Sequence, residues 1–117
     1  MAKYKSKVVC KNPSTYALTV EVVNGTQSLK FNPYMQGAVN NIIEEFKREF
    51  LEGILRNTDG VGADSFQIVP QYNREKATIS IHSKCDKGAR PIVEDFDWYL
   101  FPRLQCVLAA NGCELTK

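Results

Sequence analysis

His82 is the chain's one histidine, and Cys85 follows it by three residues, so this pair is the first place to look for chemistry. A nucleophilic thiolate needs a base to take its proton and a further group to orient that base, a role open to Asp86 or Asp97. No mechanism calls for this spacing, and an imidazole at a strand end is ordinarily a solvated side chain. Cys106 and Cys113 extend the pair to a metal-ligand set on paper. Zinc sites draw on close cysteine pairs, however, and the gap between these two is too wide. Cys10 and Cys106 have apolar neighbours and read as core thiols. No metal and no cofactor is expected.

Asp64, Glu94, Asp95 and Asp97 could gather to hold magnesium for phosphodiester cleavage, which keeps a metal-dependent enzyme as the weakest reading. Simpler roles account for all four: acids favour the first turns of a helix, and Asp favours a glycine-containing turn. Gly60-Val61-Gly62 lacks a third glycine and precedes a strand, so it does not match a phosphate-binding loop.

Basic residues are more suggestive. Lys3, Lys5 and Lys7 lead the chain, Arg74 and Lys76 share a turn, and Lys84, Lys87 and Arg90 flank a loop; together they could form a stripe for nucleic acid across an exposed sheet. Stacking on unpaired bases needs aromatic residues among the cations, and Tyr4 is the one candidate, since Tyr16 and Tyr72 fall on core-facing positions. A net charge of +2 adds no overall field that would draw a polyanion. Lysines on sheet edges also have a plainer use, in discouraging strand pairing between molecules.

The densest apolar feature is Glu94–Leu104, which carries Phe96, Trp98, Tyr99, Leu100 and Phe101 between Pro91 and Pro102. On a helix opening near Pro91, the side chains of Ile92, Phe96, Tyr99 and Leu100 share one side, while Trp98 and Phe101 turn to another. A helix apolar nearly all round is either buried deeply or offers part of itself to a partner. Trp98 and Phe101, with Glu94 and Asp97 beside them, are therefore the expected partner-binding residues.

The elements that must position these groups follow from periodicity. Lys5–Lys11 reads as a first strand ending at Asn12-Pro13-Ser14. Tyr16–Val22 and Leu29–Phe31 alternate around Asn24-Gly25, a pair suited to a type I′ hairpin turn. Asn32 caps a helix with Pro33 at its first position, and Val39, Ile42, Ile43, Phe46, Phe50, Ile54 and Leu55 mark its buried side. Phe66–Tyr72 and Ala77–Ile81 form a second hairpin across Asn73–Lys76, with Pro70 marking an edge strand or a bulge. Pro102 predicts two short helical pieces or one bent helix, closed by Asn111-Gly112.

Hairpins alternating with helices give an α+β domain spanning residues 1–117, a mainly antiparallel sheet of about five strands with helices on one face. An apolar share of 44% and a charged share of 24% exclude a disordered chain. No secretory signal and no apolar run long enough to cross a bilayer is present, which points to the cytoplasm and to reduced cysteines. The function these features imply is a small non-enzymatic binding or regulatory protein working through protein–protein contacts, of the kind phages and mobile elements direct at host machinery. A homodimer is among its assemblies, and nucleic-acid binding through the lysine-bearing sheet is the alternative.

Overall fold

A computed structural model describes residues 2–51, 66–84 and 89–117. Strand β1 (Ala2–Asn12) turns back through Pro13 and Ser14 into β2 (Thr15–Asn24), and a two-residue strand β3 (Gln27–Ser28) returns along the end of β2. Helix α1 (Pro33–Glu45) continues as a π-helical segment, Phe46–Leu51. Strands β4 (Phe66–Tyr72) and β5 (Ala77–Ser83) form the second hairpin, followed by helix α2 (Ala89–Ala110) and a short β6 (Leu115–Thr116). The sheet order is β4-β5-β2-β1-β6, antiparallel except where β6 joins β1. Both helices pack on one face, so the architecture is the expected α+β one, with a sixth strand beyond the last helix.

Alternation along the strands sorts their side chains. Tyr4 on β1, Leu18, Val20 and Val22 on β2, Ile79 and Ile81 on β5, and Phe66 and Ile68 on β4 face the helices and are buried. Against them lie Met35, Val39, Ile42 and Ile43 of α1, Phe46 just beyond it, and Val93, Phe96, Leu100, Leu104 and Leu108 of α2, all in one core cluster. Phe46 is the hub. Its ring meets Phe96 and Tyr99 edge-on, with centroids 5.1 and 5.2 Å apart, a geometry aromatic quadrupoles favour.

Local signals explain several boundaries. The Asn32 side chain accepts a hydrogen bond from the Met35 amide at 2.9 Å, and Pro33 opens α1 without an amide to satisfy. Pro70 lies on β4, an edge strand, where a missing donor is tolerated.

Other boundaries depart from the sequence reading. The first strand starts at Ala2, because Ala2 and Tyr4 continue the buried alternation ahead of Lys5. Asn24 pairs with Gln27, so Gly25 and Thr26 form the hairpin loop in place of Asn24-Gly25. Gly25 has φ +68° and no other residue has positive φ except Gly112 among those described, which fits a type II′ turn with glycine at its first central position. Of the two outcomes open at Pro102, two short pieces or one bent helix, the structure has the single helix. Helix α2 runs through it, and the Arg103 side chain donates to the Tyr99 carbonyl beside the lost backbone donor. Ile54, Leu55 and Asp64, and the loop residues Cys85, Asp86 and Lys87, lie outside the described residues.

Candidate functional site

The junction between β1 and α2 gathers the aromatic residues that the sequence sets apart. Tyr4 and Ser6 point toward the helices from β1, and both donate hydrogen bonds to the Asp97 carboxylate, Ser6 at 2.9 Å. The Tyr4 ring packs against Phe101 with centroids 5.1 Å apart. Tyr4 is 3% exposed, which corrects its assignment as a stacking platform for bases: the alternation that puts Lys3 and Lys5 in solvent puts Tyr4 in the core. Burial, and then the hydrogen bond and charge of Asp97, hold its phenol far above the ordinary range.

Asp97 thus fastens α2 to β1, and Trp98, the next residue, is carried outward. Trp98 is 73% exposed in the middle of a long helix, the most exposed of the large apolar side chains described. Lys117, just past β6, places its ammonium 4.3 Å from the indole centroid and 5.5 Å from that of Phe101. Phe101 is partly buried against the core. Glu94 is exposed and paired with Arg90 at 3.1 Å.

Alongside this cluster runs an open strand edge. β6 pairs with β1 at Ala2 and Lys3, a parallel register that takes up the amides of Ala2 and Tyr4. The Ala2 amide points out of that edge to the Glu114 carbonyl at 2.8 Å, and by strand alternation the backbone groups of Tyr4, Ser6 and Val8 point the same way. Val8, on the side facing the helices, is 37% exposed because the helical layer does not extend over it. Val8 and Lys117 escaped the sequence reading, since which strand lies at an edge cannot be read before the topology is known.

The opposite, uncovered face of β1 carries Lys3, Lys5 and Lys7, set against Val23, Glu21 and Thr19 of β2. Lys5, Lys7 and Lys76 ring a shallow depression of about 160 Å³ that also includes Thr19 and Glu21. Glu21 accepts a hydrogen bond from Ser28 at 2.6 Å. Arg74 is exposed in the β4–β5 turn and Lys84 follows β5. The proposed basic stripe is broken at Arg90, which belongs to the helical layer.

The remaining chemical candidates are dispersed. His82 lies half-buried on the uncovered face with Nδ1 2.7 Å from the Thr15 hydroxyl. Cys10 and Cys106 are exposed, contrary to the core reading. Cys106 lies two residues from both Leu104 and Leu108, and hence on the far side of α2; Cys10 lies beyond the reach of the helices. Cys113 is half-buried near Ala2. Among the described residues no three His, Cys, Asp or Glu side chains come together as a metal site. A separate groove of about 610 Å³ runs between α1 and α2 past Tyr34, Gly37, Ala38, Cys106 and Val107. The Glu45–Arg103 ion pair, at 3.5 Å, is also part of its wall.

No protein-family model matches the chain, and comparisons with curated proteins and with solved structures give no match. No helix among the described residues is long and apolar enough to cross a membrane.

Proposed function

We propose that this chain is a non-enzymatic binding protein that recognises another protein at the Trp98 surface. The exposure of Trp98 carries the reading: an indole held outward on a helix, sharing the Lys117 ammonium with Phe101 and next in sequence to the Asp97 that grips Tyr4 and Ser6 of β1, contributes little to the isolated fold. Large aromatics at the centre of an interface are its usual energetic anchors. Asp97 supports this by fixing the helix against β1, so the indole needs little ordering when a partner arrives.

The test is Trp98→Ala, with partner capture and thermal melting measured side by side. Capture should weaken by about 2 kcal/mol or more, while the melting temperature stays nearly unchanged. A variant that melts far earlier, or captures its partner as well as the parent, removes the proposal.

Nucleic-acid binding is the second reading, favoured by the grouping of Lys5, Lys7 and Lys76 on an uncovered face. Affinity for DNA or RNA would then fall steeply with salt, and Lys5→Ala with Lys7→Ala would flatten that dependence by about one unit per lost phosphate contact. Absence of a gel shift at low salt would eliminate it.

A further inference from the structure

We infer that the open edge of β1 takes up an extended acidic segment of the partner as an added strand, next to Trp98. This rests on the Trp98 reading and names the chemistry of what binds there. Three observations converge. The parallel register with β6 takes up the amides of Ala2 and Tyr4, and beyond them Ser6 and Val8 turn their backbone donors and acceptors out of the sheet with no strand paired to them among the described residues. On the uncovered side of that ladder stand Lys3, Lys5 and Lys7. On its other side lie Val8 and Trp98, both exposed.

An added strand alternates its side chains between those two sides. Acidic residues at every second position would meet Lys5 and Lys7, and apolar residues between them would meet Val8 and the indole. Charge also separates this occupant from a second copy of the chain. Two β1 edges paired antiparallel with Ser6 opposite Ser6 would set Lys5 opposite Lys7 twice, and like charges directly across a ladder are destabilising. Nucleic acid would meet the same lysines but has no use for the backbone ladder. The aromatic residue nearest the lysines in sequence, Tyr4, is buried.

The probe is a short, end-capped peptide alternating Glu and Val, with a Lys–Val peptide as its control. Binding is followed by the emission of Trp98, the chain's sole tryptophan, and by hydrogen exchange at the Ser6 and Val8 amides. The Glu–Val peptide should bind with a blue shift and protect both amides, and the Lys–Val peptide should not. Val8→Pro removes an outward amide without touching the β1–β2 ladder, and Lys5→Glu with Lys7→Glu reverses the charge without touching the backbone. Each should weaken peptide binding roughly tenfold or more, as loss of a ladder bond or of two ion pairs on this scale predicts.

Equal binding of the two peptides, unprotected Ser6 and Val8 amides, or unchanged binding by the charge-reversed variant overturns the inference. So does a single-stranded oligonucleotide that binds more tightly than the peptide and is lost with the same lysines. If the peptide fails while Trp98→Ala still abolishes partner capture, the strand-addition inference falls and the Trp98 surface stands. If Trp98→Ala leaves partner capture intact, the Trp98 reading falls, and this inference, which rests on it, falls with it even where the peptide protects the β1 amides.

Discussion

Tyr4 shows how one side chain can be misread from its neighbours and what its true setting does. In sequence it stands between lysines, and only a strand that begins at Ala2 turns it inward. The fold then keeps its phenol neutral, by burial first and by donation to Asp97 second. An unfolded chain releases that proton near pH 10, the ordinary value, while the folded chain retains it. Above that pH the unfolded state binds fewer protons than the folded state, so stability falls as pH rises. Tyr72, whose phenol burial pushes up to about 12, adds to the same alkaline loss between its unfolded and folded values. Stability should therefore decline from about pH 10 upward, and Tyr4→Phe should make that decline shallower. At neutral pH the same substitution should cost about 1 kcal/mol, since Asp97 loses one donor and keeps Ser6. Urea unfolding of both proteins on either side of pH 10 checks this, and parallel alkaline slopes would show that the phenol is not held neutral.

At the scale of elements, the periodic runs were the legible part. The spacing of Val39, Ile42, Ile43 and Phe46 places all four in the core, as does the alternation of Ala77, Ile79 and Ile81. Phe46 and Ile79 are fully buried, one from the helical layer and one from the sheet, so Phe46→Ala and Ile79→Ala should each lower unfolding free energy by about 2–5 kcal/mol. Denaturant midpoints that scarcely move would mean the two layers do not share a packed core. Elements of two residues carried no such signal: β6 has too few positions to show a period, and β3 lies at Gln27–Ser28, ahead of the Leu29–Phe31 alternation read as the returning strand, because only the two residues next to the turn pair with β2. That turn was displaced by one residue because Asn24 pairs in the ladder and leaves positive φ to Gly25 alone. Pro102 left two outcomes open, and the single helix is the one found: its neighbours Leu100 and Leu104 are both fully buried and tie the two halves of α2 to one core. The cysteines misled for a related reason. Apolar neighbours in sequence do not share a face on a helix, and Cys106 lies opposite the side those neighbours bury.

Taken whole, the molecule treats its two sheet edges differently. β4 carries Pro70, which has no amide to offer an incoming strand, whereas β1 retains its amides and is lined by Lys3, Lys5 and Lys7. An edge defended by charge rejects partners of like charge and admits those of opposite charge, so the same lysines that would attract an acidic segment should keep copies of this chain apart. Replacing them tests that directly. With Lys3→Thr, Lys5→Thr and Lys7→Thr combined, β propensity along the edge rises and the Lys–Lys juxtaposition disappears, leaving Ser6 and Val8 free to pair between molecules. The parent should sediment as a monomer at low ionic strength, and the triple variant should show concentration-dependent dimers or larger species. Adding Val8→Pro to the triple variant should restore the monomer, because it removes an outward amide from the newly permissive edge. A triple variant that stays monomeric at every concentration would mean that β1 is closed to strand addition for a reason other than charge, and the acidic-segment inference would lose its structural basis.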